Sequence, residues 1–440
     1  MINAKTLPWL HKPAFLLLQL ILIFAYGCSP KLTDTVIIFP TETITPTAIA
    51  QEQPTATQSP AAATLTPFVP SAVFKIFIHG PLSGDQASAG QEMLRSAELA
   101  VQQLSGPLNE QSYKVELVPY DDQDTVETAF ANAKQVIANP DILCGVGHYD
   151  FGNTMAASDV YHEGGLAFIA PTITDPQLTD RHYLEVNRLI GRADGQGYAA
   201  AQFAKAKGFQ TVFIVSQNTE NSVRNAEYFR IETGSFGIKW VGSVFVTVNE
   251  ENMDQVVSRI VNAKPELVYI STSARQAVPL LTELRAAGYT GSFLGTERLD
   301  SQSTISDAGA SLVQGGGLYY TITDAPLNYY AGAATFVQDF QTQYGSTPQS
   351  LAARVYDATG ICLKAIEEAS QAKGGTPPTR VEVVRAIRAL QDYQGITGMY
   401  NFNNNGDPSP SQYYVYQVVS TDSLNWDQNP IIGSYDITPP

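Results

Sequence analysis

The sequence predicts an α/β protein of two lobes, each built on a doubly wound parallel sheet. Three observations carry that expectation. From Val73 onward short apolar runs alternate with helical patterns of roughly 12 to 18 residues, the spacing of strand–helix–strand crossovers. The series breaks near Arg192 and starts again. The chain has 440 residues, 44% hydrophobic and 15% charged, enough for two cores and long for one sheet.

The first series opens with a strand over Val73–His79, the turn Gly80-Pro81-Leu82-Ser83-Gly84 and an amphipathic helix over Ala87–Leu104. A strand over Lys114–Tyr120 ends in Asp121-Asp122, before a helix from Thr125 to Ala138. An apolar run from Ile142 ends in a glycine turn, Gly145–Gly147, and a second run at Leu166–Ala170 follows, the two framing a helix over Phe151–His162. That is a strand, a crossover helix and a parallel strand, with polar turns at both carboxyl ends. Ligands of open α/β sheets bind beyond those ends, where helix amino termini offer unpaired N–H groups suited to an anion. Asn153, Thr172 and Thr174 add amide and hydroxyl groups there, so a small-molecule site is expected.

The second series alternates helices at Gly195–Ala206, Ser222–Glu232, Met253–Asn262 and Arg275–Ala287 with strands at Thr211–Val215, Lys239–Val246, Leu267–Ile270 and Ser292–Leu294. Helices dominate afterwards, at Asn328–Tyr344, Leu351–Ala372 and Arg380–Leu390. Short strands at Met399–Phe402 and Tyr413–Val419 are expected to close the chain.

Ahead of the folded body, Met1–Cys28 reads as an export signal. Lys5 and Lys12 precede an apolar core at Phe15–Phe24, too short to span a bilayer. Its end, Ala25-Tyr26-Gly27-Cys28, resembles a bacterial lipoprotein signal, which makes Cys28 the expected lipidation site and the lipid the membrane anchor. Ser29–Pro70 is rich in Thr, Pro, Ala and Gln and lacks any apolar periodicity, so it reads as a disordered tether.

The net charge of −16 and pI of about 4.7, without basic clusters, exclude nucleic acid as the expected partner. Three cysteines are too few for a disulfide framework. Cys144 and Cys362 sit in apolar runs and are expected as buried free thiols, although an oxidising compartment would allow a bridge. His79, His148 and Asp150 occur at strand ends that could converge, but no HxxxH or CxxC spacing supports a metal, and none is expected. No GxSxG, GxGxxG or GxxxxGK pattern points to an enzyme or a nucleotide cofactor.

Several motifs recur in order. They are His79-Gly80-Pro81-Leu82-Ser83-Gly84, Tyr120-Asp121-Asp122, Gly147-His148 with Ala157-Ser158-Asp159, Ala170-Pro171-Thr172 and Gly295-Thr296-Glu297. Tyr356-Asp357-Ala358 and Phe402-Asn403-Asn404-Asn405-Gly406-Asp407 complete the set. Over Val73–Val419 the chain resembles the type I periplasmic binding proteins of ABC importers, in the leucine/isoleucine/valine-binding branch. The resemblance implies two Rossmann-like lobes joined by a three-segment hinge, closing on a ligand in the cleft. It divides the body into 73–190 with 322–394 and 191–321 with 395–440, the crossovers falling at Leu189–Arg192, Tyr319–Thr321 and Gln394–Thr397.

The resemblance also implies site residues. Thr174 matches the threonine that holds the ligand carboxylate, and the Thr172 carbonyl the acceptor for its ammonium. The serine that completes the anion site falls on Phe151, leaving the N–H groups of Phe151, Gly152 and Asn153 to meet the anion, with the ring a wall of the cleft. Glu297 matches the acidic partner of the ammonium. Aromatic pocket positions become Ala89, Asn221 and Ser273, implying a larger, wetter pocket; Ser83, in the first turn, joins the candidate set. The implied role is an exported, lipid-anchored receptor that delivers an amino acid or related polar solute to an ABC permease, without a cofactor. The alternative is a sensing or regulatory envelope lipoprotein on the same fold.

Overall fold

The computed structural model describes residues 70–439, apart from 248–252, 302–303, 305, 307–308, 310–312 and 421. Cys28, its signal and residues 29–69 of the tether lie outside the described residues.

The first lobe is a five-stranded parallel sheet in the order β2-β1-β3-β4-β5. Its strands are β1 (Ala72–Gly80), β2 (Tyr113–Asp121), β3 (Ile142–Gly147), β4 (Ala167–Ala170) and β5 (Val186–Arg188). Central strands covered on both faces need no alternation, and β3 and β4 are buried at every position. The covering helices are α1 (Ala87–Leu104), α2 (Gly106–Glu110), α3 (Val126–Ala138), α4 (Phe151–Glu163) and α5 (Gln177–Asp180). α1 turns Met93, Ala97 and Ala100 inward at helical spacing. Thr125 starts α3 by accepting the Thr128 N–H.

The second lobe adds helices α6 (Gln196–Lys207), α7 (Glu220–Ser235), α8 (Met253–Ala263) and α9 (Ala274–Ala286). Its parallel strands are β6 (Thr211–Ser216), β7 (Lys239–Phe245), β8 (Leu267–Ser271), β9 (Ser292–Gly295) and β10 (Leu318–Ile322). The chain then returns to the first lobe as α10 (Ala333–Tyr344), α11 (Ser350–Ala372) and α12 (Arg380–Ala389). Val355, Ile361 and Ile366 of α11 and Val383 and Ile387 of α12 share one core with Ile76, Ile78 and Val146. A hairpin of β11 (Tyr393–Gln394) and β12 (Met399–Tyr400) follows. Finally β13 (Ser411–Val418) and β14 (Ile431–Ile437) add to β10 in antiparallel sense, giving the order β14-β13-β10-β9-β8-β6-β7.

Four expectations change. The second sheet is mixed, not parallel throughout, and the strand over Tyr413–Val419 is not the last, since β14 pairs outside it. The helix expected from Asn328 begins at Ala333, because a separate 3-10 turn occupies Leu327–Tyr329. The later crossovers move as well. β10 keeps Tyr319–Thr321 in the second sheet, and Tyr400 and Phe402 pack in the first lobe's core, so the last passage comes shortly before Ser411. Leu189 and Gly191, Thr323 and Asp324, and Pro408 and Pro410 from the three passages line one cavity of about 140 Å³.

The fourth change concerns the thiols. Cys144 of β3 and Cys362 of α11 are bridged, with Cα atoms 5.8 Å apart. Both are fully buried in the first lobe's core, and hydrophobic burial fits a half-cystine as well as a thiol.

Candidate functional site

The carboxyl ends of the first sheet open onto a pocket of about 610 Å³. α1 supplies Ala89 and Glu92 to its lining, and Gln86 and Ser88 flank them. Tyr149 and Thr172 come from the loops after β3 and β4, and Gln349, Ser350, Leu351 and Arg354 from the start of α11. The Thr172 hydroxyl donates to the His148 and Tyr149 carbonyls, both at 3.1 Å, which ties the two loops together. Arg354 is buried. Its Nε donates to the Pro171 carbonyl at 3.0 Å and its Nη1 pairs with Asp324. Glu92 is half-buried and accepts the Gln349 N–H at 2.5 Å, and desolvation holds its carboxyl above the ordinary range.

The start of α4 corrects the expected anion site. Asp150 is the N-cap, and its carboxylate accepts the Gly152 N–H at 2.7 Å and the Asn153 N–H at 3.4 Å. A carboxylate from the chain itself thus occupies the helix terminus where a ligand anion was expected. Phe151 packs against the apolar cluster around Phe77 and Phe168 and is absent from the pocket lining. Asn153 is buried. Ser83 is also drawn elsewhere, its hydroxyl donating to Asp121 at 2.5 Å.

Beneath this floor lies a buried polar chain. Gly147 has φ +142°, and a Cβ there would stand 2.1 Å from the His79 carbonyl oxygen, so only glycine lets β3 end this close to β1. His79 and His148 thereby come together, their ring centres 3.9 Å apart and their planes tilted by 43°. Their polar partners make one consistent direction of donation. Asn132 donates to His79 Nε2 (3.3 Å), His79 Nδ1–H to the Tyr161 hydroxyl (2.9 Å), Tyr161 to His148 Nε2 (3.3 Å) and His148 Nδ1–H to Asp122 (2.8 Å). His79, Asp122 and His148 have ligand-type atoms within 4.8 Å of one another, whereas Asp150, the carboxylate weighed from sequence, is committed to its cap. All four ring nitrogens already have partners, which leaves none turned towards an ion.

In the second lobe, Glu297 follows the carboxyl end of β9 and opens a 3-10 turn. Gln196 holds it from α6: the Gln196 amide donates to the Glu297 carboxylate, and its carbonyl accepts the Glu297 N–H at 3.2 Å and the Thr321 hydroxyl at 2.9 Å. Burial raises the Glu297 carboxyl above its ordinary range, and the Gln196 bond opposes that rise. Ser273 is the N-cap of α9, its hydroxyl donating to Gln276 at 3.1 Å. Asn221 of α7 reaches the first lobe, donating to Asp175 at 3.3 Å, while the Thr174 carbonyl accepts the Ala193 N–H at 2.7 Å. Of the candidate set, then, Thr172 lines the first-lobe pocket, Thr174 and Asn221 stand where the lobes meet, and Ser273 and Glu297 lie in the second lobe.

A model of the family described as "Periplasmic binding protein" matches residues 74–423. The chain belongs to the periplasmic binding protein family. An amino acid binding protein of Pseudomonas aeruginosa is 26% identical over 348 residues, covering 78% of this chain and 89% of the relative. The same organism's leucine-, isoleucine-, valine-, threonine-, and alanine-binding protein is 25% identical, with the same coverage. Among solved structures, an ABC transporter substrate-binding protein of Desulfitobacterium hafniense in complex with Leu superposes with a TM-score of 0.61 at 21% identity, covering 82% of this chain and 100% of that one. That likeness speaks for the fold. The names of the two Pseudomonas relatives speak of amino-acid binding by those proteins.

In this periplasmic binding protein the first passage between lobes carries a buried ion network. Arg188 and Asp407 pair at 2.8 Å with both side chains fully buried. Arg192 binds Asp194 at 2.8 Å and Asp180 of the first lobe at 2.7 Å, and Arg224 of α7 reaches the same Asp180 at 2.8 Å. Sequence reading missed these arginines because a cation inside an apolar run gives no hint of its partner. Arg354 and Glu92 were missed too, although Leu351 and Arg354, and Ala89 and Glu92, are each one helical turn apart and so share a face.

The polar chain gives this binding protein a pH signature. Burial pushes the His148 ring down to about 3 and His79 well below its ordinary value, so both are neutral in the fold. A depressed histidine means that the unfolded chain binds more protons, and stability is lost as pH falls below about 6.5. Asp122, raised by burial, acts in the opposite sense nearer pH 4. His148→Gln removes one of these terms. At pH 7 the variant should be less stable than wild type, and the gap should narrow by about 2 kcal/mol between pH 6.5 and 5. Urea unfolding at both pH values measures it; a constant gap would mean that His148 titrates alike in the folded and unfolded chain, and a widening gap that it is charged in the fold.

Proposed function

We propose that this protein is the exported solute-binding component of an ABC importer, holding an amino acid or related small polar solute between its lobes and presenting it to a permease. The observation that supports this most directly is the polar pocket at the carboxyl ends of the first sheet, in a fold whose second lobe offers the Glu297 carboxylate after β9. Thr172 and Thr174 would serve the solute from the first lobe, Glu297 its amino group from the second, and Asn221 and Ser273 the rim. Native mass spectrometry of the protein purified without added solute tests the reading. A retained amino-bearing molecule is expected, and catalytic turnover of the bound molecule would overturn it.

Attachment to the membrane through lipid at Cys28 belongs to the same proposal. Among the described residues no helix is long and apolar enough to cross a membrane. Cys28→Ser should therefore abolish the acyl mass and move the protein from the membrane fraction to the soluble one. A variant that still sediments with membranes would refute the anchor.

A further inference from the structure

The solute pocket carries an unbalanced negative charge. Glu92 accepts one backbone N–H through Oε1, and among the described residues no lysine or arginine forms an ion pair with it. The one guanidinium in the lining, Arg354, is already paired with Asp324, whose second oxygen accepts the Ser350 hydroxyl at 2.6 Å. In the second lobe, Glu297 is met by the neutral amide of Gln196, and no lysine or arginine among the described residues forms an ion pair with it. Arg298, its neighbour in sequence, lines a separate pocket with Asp175 and Glu220.

We infer that the solute carries two cationic groups, one for Glu297 and a second, remote one for Glu92, as a basic amino acid does. The inference rests on the receptor reading above and names its solute class. A carboxylate held half out of water without a positive partner is poorly stabilised, and a ligand ammonium supplies what the chain leaves out. The raised carboxyls of Glu92 and Glu297 agree with this, since in each desolvation outweighs the opposing pull of the nearby guanidinium groups, Arg354 and Arg95 for Glu92 and Arg298 for Glu297. Space agrees as well. The residue at the turn before Glu92 is Ala89, and a pocket of about 610 Å³ has room for an extended side chain that ends at Glu92. A purely anionic solute in this pocket would face the Glu92 carboxylate with only the Arg354 guanidinium, already paired with Asp324, to receive it. The body's acidic balance, part of a net charge of −16, would further favour the approach of a cation.

Calorimetric titration with L-lysine, L-arginine, L-norleucine, L-leucine and L-glutamate tests this, because norleucine is lysine without its terminal amino group. Wild type should bind lysine or arginine at least tenfold more tightly than norleucine. In Glu92→Gln, which retains an acceptor for the Gln349 N–H, that preference should fall at least fivefold, with the melting temperature recorded beside it to show that the variant is folded. Norleucine, leucine or glutamate binding wild type as tightly as the basic amino acids would overturn the inference. So would a preference unchanged in Glu92→Gln, or failure of both basic amino acids to bind. In each of those cases a neutral or acidic solute retained on purification would leave the receptor reading standing, whereas no retained solute and no binding by any of the five would remove both.

Discussion

Replacing Cys144 and Cys362 together by alanine is expected to lower the stability of the folded body by about 2–5 kcal/mol. The bridge joins β3 to α11 across a sequence separation of 218 residues, and the loop it closes contains the whole parallel part of the second lobe. Loops of that length lose the most entropy in the unfolded chain when they are closed, which places the effect towards the upper part of the range. Alanine is preferred to serine because both sites are fully buried and a hydroxyl there would add its own desolvation cost. The measurement is urea unfolding of wild type, oxidised and reduced, beside the double variant. Reduced wild type and the variant should coincide within about 1 kcal/mol, the residue being lost packing. Equal midpoints for oxidised and reduced wild type would show that the bridge does not constrain the unfolded chain.

The bridge also marks where sequence reading stops. Alternating strand and helix patterns located β1, α1, α4, α8 and α11 to within two residues, because each has an apolar stripe or run of the right period, while β3 runs on through the Gly145–Gly147 stretch expected as a turn. β5 was missed because three residues that include Asn187 and Arg188 have no strand pattern of their own; both side chains are buried through partners supplied from far away. β14 was missed for the opposite reason, since an edge strand with a single buried position, Ile437, reads as a loop. Pairing between Cys144 and Cys362 depends on α11 crossing back to the first lobe, a long-range fact that no local spacing encodes.

The candidate site divides in the same way. Thr172 was legible as a strand-end position because a parallel sheet dictates where its carboxyl ends point, whereas Glu297 was singled out by the family resemblance, and it follows the end of β9. The start of α4 was legible as a helix terminus and misassigned as a ligand site. An aspartate immediately before a helix is first of all a cap, and here Asp150 takes the N–H groups that the anion would have used. The Gly152 and Asn153 N–H groups are therefore not free for a solute anion, and we propose Thr172 and Thr174 for that end.

Glu297→Gln is expected to weaken an amino-bearing solute at least tenfold while leaving the fold intact. A charge-assisted bond in a desolvated site is worth roughly 1.5–3 kcal/mol, about ten- to a hundredfold in affinity. The substitution keeps the shape of the side chain, and its amide oxygen can still accept from Gln196, so α6 and the turn after β9 should hold their places. The carboxyl is raised in the unliganded protein, and a bound ammonium favours its ionised form, so wild-type affinity should increase as pH rises through that value and binding should release protons below it. The variant, with nothing to ionise at this position, should lose that part of the pH dependence. Closure should suffer too, since a lobe without differential affinity for the solute cannot be drawn onto it. Thr174→Ala should cost less, because a neutral hydroxyl is a weaker partner than a carboxylate. Calorimetric titration at two pH values, with small-angle scattering to follow compaction, separates these effects. If Glu297→Gln binds and compacts as wild type does, the amino group is held by the first lobe alone, and Glu92 is then the carboxylate that holds it.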